Sequence, residues 1–296
     1  MSAVKESKTM DQLLVEGSWN IYYVSGLYQF KHDRDTLATD ATDLVTFLRA
    51  ADDDRDLKRH QEVTVNVRAK NDLAMFVIHE QVADGTRPPT RVGAFVYYTP
   101  HQRGAPPPAN TNGTHLLLLQ GNEHLVVRMC AWVQHRFQCV IALNALRIQS
   151  VCMEQFAQSL FHAIAQHGDD DDGQVHAPLK LTLRSESDDK IVRSVAISIP
   201  RRDIQAKHEL QRERRNTMVD QGHRMIRSLM LPYCAQLGVD MPTFRLASIS
   251  SYDCSLDNTG ILSLRRADRA IDILDDLLDI FVVQNVTVPD TAETSF

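Results

Sequence analysis

Residues 61–98 read QEVTVNVRAKNDLAMFVIHEQVADGTRPPTRVGAFVYY, and this stretch decides the fold. Val63, Val65 and Val67 alternate with polar residues, the period-two pattern of a strand whose side chains point to opposite faces in turn. Two further strands, 73–79 and 92–98, follow closely, separated by a turn that carries Asp84, Gly85, Pro88 and Pro89. Connections this short cannot make the crossover that parallel neighbours require. The three strands therefore form an antiparallel meander.

Upstream, residues 19–24 are an aromatic and β-branched run that reads as a strand. A helix follows with Leu37, Ala41, Leu44, Val45 and Leu48 on one face, and Asp33 or Asp35 is placed to cap its free N–H groups. Downstream, Pro106, Pro107 and Pro108 mark a surface loop over 104–113, and 116–119 make a short strand. Two helices come next. One sets Leu125, Met129, Trp132 and Val133 on one side, and the other, over 150–166, carries Cys152, Phe156, Leu160 and Ile164.

Residues 168–173 include four successive aspartates and read as a linker. Behind it Leu179, Leu181 and Leu183 alternate, as do Val195, Ile197 and Ile199. Pro200 opens a long basic helical region that Gly238 closes. Residues 244–252 and 261–264 then form a hairpin around Asp257, Asn258, Thr259 and Gly260, and a last helix turns Ala270, Ile273, Leu274, Leu277, Leu278 and Phe281 inward. The expected class is α+β, two lobes of mainly antiparallel sheet backed by helices. Its expected layout is a disordered tail at 1–17, a first lobe at 18–167, an acidic linker at 168–177, a ββαββα lobe at 178–284 and a second tail at 285–296. Trp19, Tyr23, Leu44, Trp132 and Phe156 should be buried in the first lobe.

The composition is that of an ordinary globular chain: 296 residues, 43% apolar, 24% charged, with 12 Gly and 11 Pro. A net charge of −6 argues against a protein that meets nucleic acid through its overall field, so any such contact needs a local patch. The opening residues contain no apolar core of signal-peptide length, and no apolar run approaches the ~20 residues of a membrane span. Cys130, Cys139, Cys152, Cys234 and Cys254 fall at neither metal spacing nor an even disulfide framework. The expected compartment is cytosolic or nuclear.

Catalytic chemistry finds no foothold. His162 and His167 lie five apart, which does not put both on one helical face, and His208 and His223 sit in the basic region. The aspartates at 169–172 lack the alternating ligands, central Gly and closing Glu of a calcium loop. No nucleophile elbow, Walker loop or dinucleotide fingerprint occurs. Cys139 follows His135 by four residues, but Phe137, Val140 and Ile141 point to burial, and a reactive thiolate needs an exposed electropositive setting. Asp275 and Asp276 read as solubilising charge on the outer face of their helix. The reading is a non-enzyme without metal or cofactor.

One charge feature stands out. Residues 201–227 hold Arg201, Arg202, Lys207, Arg212, Arg214, Arg215, Arg224 and Arg227 against Asp203, Glu209, Glu213 and Asp220. A solvated helix would look like this, and so would a stripe facing DNA phosphates, with Arg201, Arg202, Lys207, Arg212, Arg214 and Arg215 as its contacts. No aromatic residues interleave it, which argues against single-strand recognition. A free-standing DNA-binding protein using this region is therefore the alternative reading.

Three segments in order resemble the centromere protein L family of the inner kinetochore. WNIYYVSGLYQF at 19–30, followed by the 37–48 helix, is similar to that family's W-x-L-Y-x-V-x-P-L-Y-x-F strand and helix, with Gly26 in place of the proline. AWVQHRFQC at 131–139 is similar to its W-x-x-x-x-F-D-C segment, with Gln138 in place of the aspartate. The stretch from Phe244 through GILSL at 260–264 to the 271–282 helix is similar to its closing strand, glycine turn, strand and helix. The resemblance implies a curved antiparallel sheet and a non-catalytic nuclear subunit at the centromere. It also implies a heterodimer with a centromere protein N homologue and, through that pair, contact with other inner-kinetochore subunits and with centromeric DNA or nucleosomes. With apolar residues on both faces, the late hairpin is the expected partner edge, through Phe244, Leu246, Ile249, Ile261, Leu262 and Leu264. A hairpin covered by the chain's own helices would show the same pattern.

Overall fold

The computed structural model describes residues 8–50, 61–70, 73–82, 88–98, 115–142, 147–166, 177–185, 192–214, 224–238 and 240–287. The fold is α+β, and every strand pairing within its sheets is antiparallel. The chain divides into two compact units, Met1–Leu146 and Arg147–Phe296.

In the first unit the strands β1 (Trp19–Val24), β2 (Gln61–Lys70), β3 (Leu73–Val82), β4 (Thr90–Tyr98) and β5 (His115–Gln120) lie in the order β2-β3-β4-β5-β1. The meander is therefore present, and β1 closes it beside β5. A bulge between Ile78 and His79 bends the β3–β4 pair, and Gly93 sits opposite it. A Cβ at Gly93 would lie 2.5 Å from the Leu125 side chain and 2.6 Å from the Gln120 carbonyl oxygen, so no larger residue fits. One sheet face, with Phe76, Ile78, Phe95, Tyr97, Leu117 and Leu119, packs on α2 (Arg34–Ala50) and α3 (Glu123–Phe137). Asp33 caps α2, its carboxylate accepting the Thr36 N–H at 2.9 Å, which with the Thr36 hydroxyl holds that carboxyl below its ordinary range.

The opposite face of this sheet is buried too. Met75, Val77, Val96, Leu116 and Leu118 are all inaccessible. A short helix, α1 (Met10–Leu14), lies on that side, held by a capping box between Thr9 and Gln12. The Leu14 carbonyl accepts the Trp19 indole N–H at 2.7 Å, and Lys70 pairs with Asp11. Residues 8–17 are thus folded rather than part of a tail. Tyr23, expected in the core, is 41% exposed although it shares the face of the buried Trp19 and Ile21, because it lies near the strand end.

The second unit orders its strands β10-β9-β8-β6-β7, with β6 at Leu179–Ser185, β7 at Ser194–Ile199, β8 at Phe244–Ser250, β9 at Cys254–Asp257 and β10 at Ile261–Leu264. Four helices accompany them: α4 (Ser150–Gln166), α5 (Arg201–Arg214), α6 (Arg224–Gln236) and α7 (Ala270–Thr287). Pro200 starts α5, its carbonyl accepting the N–H groups of Asp203 and Ile204. Gly238, at φ +64°, ends the turn after α6, in the left-handed region glycine tolerates without strain.

Two expectations change here. The unit boundary falls after Leu146, not at 168–177. The apolar side of α4, with Phe156, Leu160 and Phe161, packs within the second unit against β8, α5, α6 and α7, so Phe156 is buried there. The expected linker lies outside the described residues except at its last residue, Ala177. The closing hairpin is also different: β8 pairs with β9, and β9 with β10, giving three strands where two were expected. Asp257 shapes the β9–β10 turn by accepting the N–H groups of Thr259 and Ile261, and Gly260 takes φ +83°.

Candidate functional site

The residues expected at a partner edge are mostly core. β8 is hydrogen-bonded to β6 along its length and to β9 from Ser248 to Ser250, and ahead of that the Leu246 N–H donates to the Ser150 hydroxyl at 3.2 Å. Phe244, Leu246, Ile249, Leu262 and Leu264 are buried, and only Ile261, 40% exposed, faces outward. The covered-hairpin reading holds for these side chains, since α4 packs against β8 and contacts α7.

The open edge of this unit is β7. Its burial alternates strictly, with Val195, Ile197 and Ile199 inward and Ser194, Ala196 and Ser198 outward. Just beyond the ladder, the Ser185 N–H donates to the Arg193 carbonyl at 2.9 Å. That phase makes Leu183–Val195, Leu181–Ile197 and Leu179–Ile199 the hydrogen-bonded pairs. The main-chain groups of Ser194, Ala196 and Ser198 consequently point away from β6. The strand carries no charge, proline or bulge, the devices that normally guard an edge.

Among the described residues the basic region is divided between two helices, α5 and α6. Arg201 and Lys207 are half-buried, and Arg202, largely exposed, pairs with Asp203 at 3.5 Å. Arg212 and Arg214 belong to α5, while Arg215 lies outside the described residues. Arg227 turns back to hold the Glu154 carboxylate through both Nε at 2.8 Å and Nη2 at 3.0 Å.

A different basic surface emerges from the register. On β6 the outward residues are Lys180, Thr182 and Arg184, opposite Ser198, Ala196 and Ser194 of β7. On the other side Lys180 faces Ser250, Thr182 faces Ser248 and Arg184 faces Arg245, and Ser255 and Ser263 continue the same face. Arg265 lays its guanidinium on Ser250 at 3.1 Å. The strands β6, β7 and β8 contain no carboxylate, and Asp257 at the end of β9 is committed to its turn. The result is an uncovered sheet face of Lys180, Arg184, Arg245 and Arg265 set among hydroxyls. Sequence reasoning missed it because the residues are spread over three strands. The only signal was Lys180 and Arg184 alternating with buried leucines and no acid between them.

The first unit joins its two resembling segments directly. The Tyr28 N–H donates to the Phe137 carbonyl at 2.9 Å, the Ser25 N–H to the Val140 carbonyl at 3.0 Å, and the Ala142 N–H to the Tyr23 carbonyl at 3.1 Å. Phe30 packs edge-on against Phe137, and Trp132 does the same from the other side. The Trp132 indole N–H donates to Asp43 at 3.0 Å, while Arg136 holds the fully buried Asp40 at 2.7 Å. Burial pushes the Asp40 carboxyl up against the pull of Arg136. Gln138 ends α3 in the left-handed conformation at φ 47°.

Burial disfavours the thiolate at all five cysteines. Burial pushes Cys130 and Cys139 up to about 11 and Cys254 up to about 12. His135 is exposed while Cys139 is buried and donates to the Val133 carbonyl, so they make no catalytic pair. His162 and His208 pack ring to ring at 5.8 Å, and among the described residues no three His, Cys, Asp or Glu side chains converge as a metal site. His167 and His223 lie outside those residues. Among them, too, no helix is long and apolar enough to cross a membrane. No protein-family model matches the chain, and no curated protein is significantly similar to it.

Proposed function

We propose that the chain is a structural, non-catalytic subunit of the inner kinetochore, similar to centromere protein L. In this reading it pairs with a centromere protein N homologue and helps anchor the kinetochore to centromeric chromatin in the nucleus, beside other inner-kinetochore subunits. The observation that carries the reading is the uncovered face of the second unit's sheet. A chain of net charge −6 gathers Lys180, Arg184, Arg245 and Arg265 on one hydroxyl-lined surface, and such groups contact phosphates without reading bases. The resembling segments lend support, since they pack together in the first unit and supply the closing strands and helix of the second. The adjacent β7 edge is the better partner edge, as it presents main-chain groups rather than buried side chains.

The test is duplex-DNA binding by the chain purified with a centromere protein N homologue, followed by fluorescence anisotropy across a salt series. Lys180→Glu, Arg184→Glu and Arg265→Glu together should weaken binding and flatten the salt dependence, by roughly 0.9 in slope for each phosphate no longer neutralised. Binding and slope equal to the unmodified complex would sink the DNA role of this face. In the same preparation Ala196→Pro removes an outward N–H without touching the β6–β7 ladder, and should release the partner. Retention of the partner would take the pairing edge elsewhere.

A further inference from the structure

The register sorts the outward face of β6, β7 and β8 into three rows that run across the strands. One outer row is Ser198, Lys180 and Ser250, and Arg265 joins it by donating to the Ser250 hydroxyl at 3.1 Å. The other outer row is Ser194, Arg184 and Arg245. Between them lie Ala196, Thr182 and Ser248, all short and uncharged. Lys180, Arg184, Arg245 and Arg265 are exposed. The four cations therefore form two pairs, held apart by a neutral row.

The separation of the pairs selects a target. Lys180 and Arg184 lie four residues apart on β6, which at roughly 3.3 Å per residue sets the two pairs about 13 Å apart. The minor groove of a B-form duplex is about 6 Å wide, and with the radii of the phosphates on its two lips the phosphorus atoms across it stand about 12 Å apart. The major groove is about twice as wide and sets its lips about 18 Å apart. Duplex RNA reverses the proportions, with a narrow major and a wide minor groove, so neither of its grooves matches. A pair of cations can give one donor to each free oxygen of a single phosphate. The middle row is too short to reach a groove floor about 7.5 Å down, which leaves the bases unread. None of the three rows holds an aromatic side chain, so a single strand has nothing to stack on.

Taking the DNA role proposed for this face as its basis, we infer that the face straddles the minor groove of a B-form duplex. Lys180 and Arg265 hold one phosphate backbone, Arg184 and Arg245 hold the other, and the neutral row lies over the groove between them.

The test titrates two short fluorescein-labelled duplexes of one sequence, one DNA and one RNA, with the full chain and follows anisotropy. The DNA should bind at least about tenfold more tightly than the RNA, because only its minor groove matches the spacing. Lys180→Glu and Arg184→Glu, made singly, should each weaken DNA binding by about tenfold and bring the two duplexes to similar affinity, since one remaining pair cannot measure a separation. Both residues are exposed, so the variants keep their melting temperatures, and loss of structure would not turn a preference into equality. Equal affinity of the unmodified chain for the two duplexes, or tighter binding of the RNA, overturns the groove assignment, while weakening by the charge reversals would still mark a phosphate-facing surface. A preference for DNA that survives both charge reversals overturns it as well. DNA binding that neither reversal weakens, or no binding of either duplex, removes the DNA role of the face and this inference with it.

Discussion

The strands of the two units are built alike and meet solvent differently. In the first unit β3, β4 and β5 are buried over consecutive residues, Leu73–Ile78, Gly93–Tyr98 and Leu116–Leu119. In the second, β6 and β7 alternate residue by residue between core and surface. Uninterrupted burial is the habit of sheets covered on both sides, and alternation that of a sheet with one wet face. The middle strands of the first unit are therefore structural on both faces. The second keeps one face for contact.

One substitution made twice gives the largest expected contrast. Val77→Asp puts a charge on the buried second face of the first sheet and should abolish cooperative thermal unfolding of that unit. Ala196→Asp, outward on β7, should shift stability by no more than about 0.5 kcal/mol. Comparable melting curves for the two variants would show that the two sheets do not differ as described.

A smaller effect distinguishes the halves of the Glu154–Arg227 pair. Glu154 is buried and Arg227 exposed, so Arg227→Ala strands a desolvated carboxylate and should cost on the order of 2 kcal/mol. Glu154→Gln leaves an arginine free to reach water and should cost less in urea denaturation. The reverse ranking would mean that the carboxylate is already solvated.

The smallest effect is a gain. Burial, with Asp279, Asp272 and Asp275 nearby, pushes the Asp276 carboxyl up to about 6. Because its folded value lies above its unfolded one, the charged form is disfavoured in the fold. The penalty is nearly full at pH 7, shrinks as pH falls through about 6 and fades out only near pH 3, below the unfolded value of 3.8, where both states are protonated. Asp276→Asn should stabilise the chain by on the order of 1 kcal/mol at pH 7 and by almost nothing at about pH 3, after discounting for partial exposure. A gain that does not change with pH would assign it to helix packing instead.

Where the sequence was legible, long periodic segments made it so: the β2–β4 meander and the faces of α2, α3, α4 and α7 follow from spacing, while the cap of α2, left between Asp33 and Asp35, is Asp33. What stayed hidden was short or depended on register. α1 has five residues, too few for a helical period, although Thr9 and Gln12 spell its capping box. β9 has four and merged with its neighbours into one apparent hairpin. Asp276, which spacing placed on the outer face of α7, is half-buried at the margin of its apolar stripe. The aspartates at 169–172 looked like a boundary, yet α4 had already crossed into the second unit before them. The basic sheet face exists only once Arg184 is known to stand beside Arg245, sixty-one residues away in the chain.

The buried thiols have a practical consequence. At pH 7 a thiol with a value of about 11 is ionised to roughly one part in ten thousand, against a few per cent for an ordinary exposed cysteine, and reaction rates follow the thiolate. A cysteine introduced at Ser198, outward on β7 beside the basic face, would therefore outpace Cys130, Cys139 and Cys254 in maleimide labelling by about two orders of magnitude. A dye placed there reports on the edge strand and the sheet face together, with those three native cysteines left in place.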